Sequence, residues 1–176
     1  GCTGLTGLAI PSGVAVIGSQ AFYGCTGLAE LAIPAGVTNI QGRAFEGCAN
    51  LTGLSVAESN AAYASLDRVL FNKARTLLIQ CPGGKTGTYA VPDGVTAIGT
   101  YAFKGCSGLA GITFPASLGS IGASAFENCT GLRGLHVPDT VTAAGGYAFY
   151  GCSGLENATL GTGVTALYAR IRGWSL

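Results

Sequence analysis

Apolar residues return along this chain on a short, fixed beat. Leu28, Leu31 and Ile33 are set among small or polar neighbours, and so are Leu109, Ile112 and Phe114, and Leu132, Leu135 and Val137. Such alternation predicts strands with one buried face. Pro11, Pro34, Pro92, Pro115 and Pro138 stand at the ends of these strands, where a missing N–H does least harm to a ladder. Val37 and Ile40 predict a return along an opposite wall. Segments such as "RAFEG" and "TYAFKG" then read as a single helical turn, closed by Gly24, Gly47, Gly105, Asn128 or Gly151. Only Gly and Asn occur at that closing position, as a left-handed cap demands. Phe22, Phe45, Phe103, Phe126 and Phe149 are expected to stack as a spine between the two walls.

Cysteines at 2, 25, 48, 106, 129 and 152 are spaced by 23, 23, 58, 23 and 23 residues. A fixed short period is the mark of a solenoid, and this one lies in the leucine-rich-repeat range. The predicted fold is therefore an α/β-type, β-rich, right-handed superhelix: one domain over residues 1–176, of about seven coils of 23 residues. A parallel sheet lines its concave face, with short strands and helical turns on the convex side. The 58-residue gap is one ordinary unit plus a lengthened one, the extra residues falling within 58–91. There "RVLFN" and "TLLIQC" are apolar runs around a polar turn, which predicts a β-hairpin. "CPGGKTG" mimics the end of a phosphate-binding loop. Its first glycine is missing, however, and "TGTYAVPDG" after Lys85 has no helical period, so it reads as the turn back to the next strand.

The consensus "LxxLxIPxxVxxIGxxAFxGC" resembles the Treponema-type, BspA-like leucine-rich repeat family over nearly the whole chain. The resemblance implies a bacterial protein, exported to the cell surface or periplasm, that engages proteins or other macromolecules without enzymatic activity.

Composition narrows the function classes. A net charge of +1 supplies no basic field for nucleic acid or an anionic membrane, and no apolar run approaches the ~18 residues of a membrane span. The column cysteines point one way into one layer and lack paired metal-ligand spacing, so buried free thiols are expected, with no metal and no cofactor. Cys81 lies outside that column and has no nearby base, since the single histidine is two repeats away. Glu30, Glu46, Glu58, Glu127 and Glu156 read as scattered over different columns and mostly solvated.

The candidate site is the concave face. Its outward positions are Ala9, Glu30, Ala32, Ser55, Thr88, Ala90, Thr113, His136 and Thr159, with Gly7, Gly53, Gly111, Gly134 and Asn157 between them. Nearly all are small. Relaxed repeat consensus explains this, and so does a trough that seats a protein or extracellular-matrix partner; an apolar small ligand is the alternative occupant. The chain lacks Met and opens at Gly1-Cys2 in mid-repeat, which reads as a fragment or a processed chain. An uncovered first strand predicts self-association through the N-terminal coil, or a longer chain that covers it. At the other end Trp174 is expected to cap the last coil.

Overall fold

The structure is a computed structural model and describes residues 1–165. It contains β1 (Val16–Ile17), β2 (Glu30–Ile33), β3 (Asn39–Ile40), β4 (Gly53–Val56), β5 (Tyr63–Leu66), β6 (Val69–Asn72) and β7 (Leu77–Gln80). They are followed by β8 (Gly87–Ala90), β9 (Ala97–Ile98), β10 (Leu109–Thr113), β11 (Ser120–Ile121), β12 (Gly134–Val137), β13 (Ala143–Ala144) and β14 (Asn157–Leu160). Longer strands make one wall of a β-solenoid and two-residue strands the other. Alternate residues are buried in β2, where Leu31 and Ile33 are buried and Glu30 and Ala32 exposed, and in β12, where Leu135 and Val137 are buried.

Two expectations need correction. First, the described residues contain no helix. The segments after the short strands are successive turns, in which Tyr23 N–H donates to Gln20 O and Cys25 N–H to Phe22 O. Left-handed residues at Gln20, Arg43, Tyr101, Ser124 and Tyr147 break any helical run two positions before each phenylalanine. The closing residues are left-handed as expected, with φ of 63° at Gly24 and 60° at Asn128.

Second, the long-strand wall is not one sheet. β2 pairs with β4, and β8, β10, β12 and β14 form a separate parallel sheet. The short-strand wall is divided too, into β1–β3 and a six-stranded sheet running from β13 through β11, β9 and β7 to β6 and β5. The lengthened repeat causes both interruptions. Its strands β5, β6 and β7 form an antiparallel meander, and β5 with β6 crosses the solenoid from one wall to the other. At the short-strand wall the Tyr63 hydroxyl accepts from Ile40 N–H at 2.8 Å. At the long-strand wall Arg68 O accepts from Leu54 N–H at 2.9 Å, and Ser65 Oγ accepts from Val56 N–H at 3.1 Å.

This partition divides the core. Val69 and Phe71 of β6 pack into a cluster that continues to Cys152, whereas Leu70 packs with Ile17, Leu28, Leu31 and Leu54. The phenylalanine spine is divided likewise. Phe22 stacks on Phe45 at 5.6 Å, and Phe126 lies 4.7 Å from Phe103 and 5.5 Å from Phe149. Between the stacks, Cys81 occupies the phenylalanine position: its N–H bonds to Ala102 O, as Phe103 N–H does to Ala125 O. At the N-terminal end Leu8 and Val16 are 42% and 51% exposed around a hollow floored by Ile17 and Phe22. The expected Trp174 cap lies outside the described residues.

Candidate binding surfaces

All nine predicted site residues are exposed on the long-strand wall. Register places Ala9 beside Ala32 and Ala32 beside Ser55; beyond the partition Ala90 lies beside Thr113 and His136 beside Thr159. Thr88 flanks Gly111. His136 Nδ1 lies 2.6 Å from Thr159 Oγ1, so these two form a polar pair on the surface.

The partition reaches this wall and divides the predicted trough. Arg68, at the turn between β5 and β6, lies over Gly53 and forms an ion pair with Glu30. Gly53, expected to face outward, is buried beneath that side chain. On the N-terminal side of the divide a depression of about 330 Å³ is lined by Ala9, Ala32 and Ser55, with Ile10, Ile33 and Val56 along its margin. On the other side the four-stranded sheet is lined by Thr88, Ala90, Thr113, His136 and Thr159.

Other sequence candidates resolve into structural roles. Gly84 N–H donates to Leu51 O and Lys85 Nζ to Asp67 O, so the donors that would hold a phosphate at "GGK" already have protein partners. All seven cysteines are free, and only Cys2 is exposed. Cys48, Cys129 and Cys152 each donate at 3.0 Å to the carbonyl of the phenylalanine in the preceding repeat. Burial pushes the Cys48 thiol up, and hydrogen bonding with Cys81 together with burial pushes Cys106 well up. Cys48 and Cys106 are thereby poor nucleophiles. Among the described residues no cluster of His, Cys, Asp and Glu could hold a metal ion.

The reading of the carboxylates is also corrected. Glu46 and Glu127 share one column with Tyr23, Lys104 and Tyr150, and the 58-residue spacing conceals it. Lys104 Nζ lies 3.2 Å from Glu46 and 3.0 Å from Glu127, with all three side chains mostly shielded. Arg43 also pairs with Glu46. Burial alone would raise the Glu46 carboxyl, but hydrogen bonds from Arg43 and Lys104 outweigh it and hold it below the usual range. Burial would lower Lys104, and its bonds to Glu127 and Glu46 instead raise it.

Parallel strands in register, inward Leu and Ile, and a cysteine turn in every repeat but the lengthened one define a leucine-rich-repeat β-solenoid. The model of the BspA type leucine rich repeat region matches in 6 copies, over residues 1–77 and 85–171. The chain belongs to this family. It is similar to a leucine-rich repeat protein from Eubacterium ventriosum, with a TM-score of 0.82 and 27% identity over 87% of this chain and 41% of that one. Similarity to the pneumococcal vaccine antigen PcpA has a TM-score of 0.63 and 27% identity, over 78% of this chain and 40% of that one. A leucine rich cell surface protein from Faecalibacterium prausnitzii aligns at a TM-score of 0.50 and 25% identity, over 88% of this chain and 53% of that one. The chain thus spans about half or less of each of these structures. No curated protein matches it.

Proposed function

We propose that this chain is a non-catalytic binding module of an exported or surface-attached bacterial protein, recognising a protein or extracellular-matrix component. Its long-strand wall is the concave side of a right-handed superhelix and serves as the recognition face. The observation that carries this reading is the row of exposed small side chains held in register on β8, β10, β12 and β14. A partner can approach such a surface closely, down to the backbone. The vaccine antigen and the cell surface protein among the similar structures support the setting.

Ala90 provides the test. Its side chain points outward, so Ala90→Arg should leave thermal unfolding unchanged while weakening binding to an immobilised extracellular-matrix extract at least tenfold. Unchanged binding would remove this face from consideration. A second reading, a carrier of a small apolar ligand, is favoured by the apolar depression beside Ala32. Native mass spectrometry of gently purified protein separates the two, because only the carrier should show a co-purified lipid-like mass.

A further inference from the structure

One flank of the solenoid carries the residue types that the long-strand wall lacks. Gln20, Arg43, Tyr101, Ser124 and Tyr147 occupy one column, with φ of 59°, 66°, 64°, 52° and 59°. A left-handed backbone costs a residue with a Cβ roughly 1–2 kcal/mol, and glycine avoids that cost. The chain holds 30 glycines, yet none stands in this column. Two of the five places hold tyrosine and one holds arginine.

The neighbouring column reads Tyr23, Glu46, Lys104, Glu127, Tyr150. Tyr23, Tyr147 and Tyr150 are 48%, 58% and 38% exposed. Between them the Tyr101 ring has the Arg43 guanidinium 5.7 Å and the Lys104 ammonium 5.4 Å from its centroid. Glu46 and Glu127 fix those cations in place.

We propose that this flank docks an exposed, uncharged peptide segment of a protein partner through Tyr23, Tyr101, Tyr147 and Tyr150. The proposal rests on the binding-module reading and adds a second surface to it. Tyrosine and arginine are enriched in interface hot spots, and tyrosine presents a large area with little freedom to lose. Here the ion pairs and cation–π contacts order them before a partner arrives. The chemistry also selects the class of partner. Arg43 and Lys104 are neutralised by Glu46 and Glu127, so a polyanion finds no net field. Tyr147 and Tyr150 meet edge to face at 86°, so the two rings do not form one flat platform.

The test selects a phage-displayed library of random 12-residue peptides on the immobilised full chain. Peptides enriched on the wild type and retained on Ala90→Arg should bind a variant carrying Tyr23→Ser, Tyr147→Asn and Tyr150→Ser at least tenfold more weakly. Asparagine suits the left-handed backbone at 147, and an unchanged thermal transition confirms that the variant is folded. Peptides lost on Ala90→Arg but indifferent to the tyrosine changes would overturn the flank and support the long-strand wall. Absence of enrichment above the library background would overturn it too, as would tyrosine-dependent binding of neutral oligosaccharides on a glycan array in place of peptides.

Discussion

Cys48, Cys129 and Cys152 each satisfy a carbonyl inside the core, that of Phe22, Phe103 and Phe126 respectively. Each carbonyl also accepts a backbone N–H, from Cys25, Cys106 and Cys129 respectively, so alanine there would remove only a weak second bond. Cysteine is small and apolar enough to stack in a column and still donates weakly. The left-handed column works in the opposite sense, because there the local backbone disfavours the residue it holds. Gln20, at φ 59° and exposed, isolates that effect. Gln20→Gly should raise stability by up to ~1 kcal/mol, and Gln20→Val should lower it by ~1–2 kcal/mol, since a β-branched side chain tolerates this region worst. Chemical denaturation of both variants checks the pair, and equal stabilities would refute the assignment. Sequence showed the first column and hid the second. Cysteine repeats as one letter, whereas Gln, Arg, Tyr, Ser and Tyr share a backbone state that no common side-chain chemistry announces.

At the scale of elements, the lengthened repeat shows how an insertion can enter a solenoid without leaving its core unsatisfied. Asn60 stands where other repeats place valine or leucine, as at Val37 and Leu118, and is fully buried. Its side chain donates to Pro34 O and Val37 O and accepts from Ala62 N–H and Tyr63 N–H, so all four of its bonds are made. It thereby ties the preceding coil to the start of β5. The turn after β5 has both Asp67 and Arg68 left-handed, at φ 49° and 65°. That is the two-residue hairpin geometry usually written Asn-Gly or Asp-Gly. Lacking the glycine, "LDRV" gave no turn signal, and β5 went unread although the apolar runs holding β6 and β7 were visible. The repeat, the walls and the outward positions were legible because each has a period. The partition occurs once and has none.

β6 offers a direct check on its two-sided burial. Leu70 and Phe71 are both fully buried, but in different clusters. Leu70→Ala and Phe71→Ala should each cost about 3 kcal/mol. Leu70→Ala should chiefly speed labelling of Cys25 and Cys48 by a thiol reagent at low denaturant, and Phe71→Ala that of Cys106 and Cys129. If both variants expose all four thiols in parallel, β6 does not separate two cores.

Across the whole molecule, stacked coils cohere through nearest-neighbour contacts, so the interface with the weakest ladder limits cooperativity. Here that interface is the partition, where strand pairing between β4 and β8 gives way to single bonds from Leu54, Val56 and Ile40. Lys104 acts across it, joining Glu46 on the N-terminal side to Glu127 on the other. A half-shielded clamp of this kind is worth on the order of 1–2 kcal/mol, between an exposed pair and a buried one. Its pH dependence follows from the two shifts. The Glu46 carboxyl is held low in the fold, so its contribution is present above the unfolded carboxyl value, near ~4.3, and is lost as pH falls through the folded value. The Lys104 ammonium is held high, so its contribution is present below about 10.4 and is lost as pH rises through the raised value. Lys104→Met should therefore lower the melting temperature over the neutral range, with the difference from wild type shrinking below about pH 4 as Glu46 takes up its proton. The loss should appear first in the thiols of the N-terminal side, Cys25 and Cys48, which depend on the clamp to stay in register with the larger sheet. Melting curves and thiol labelling across pH read both effects, and a difference that persists undiminished in acid would show that the ion pairs are not its source.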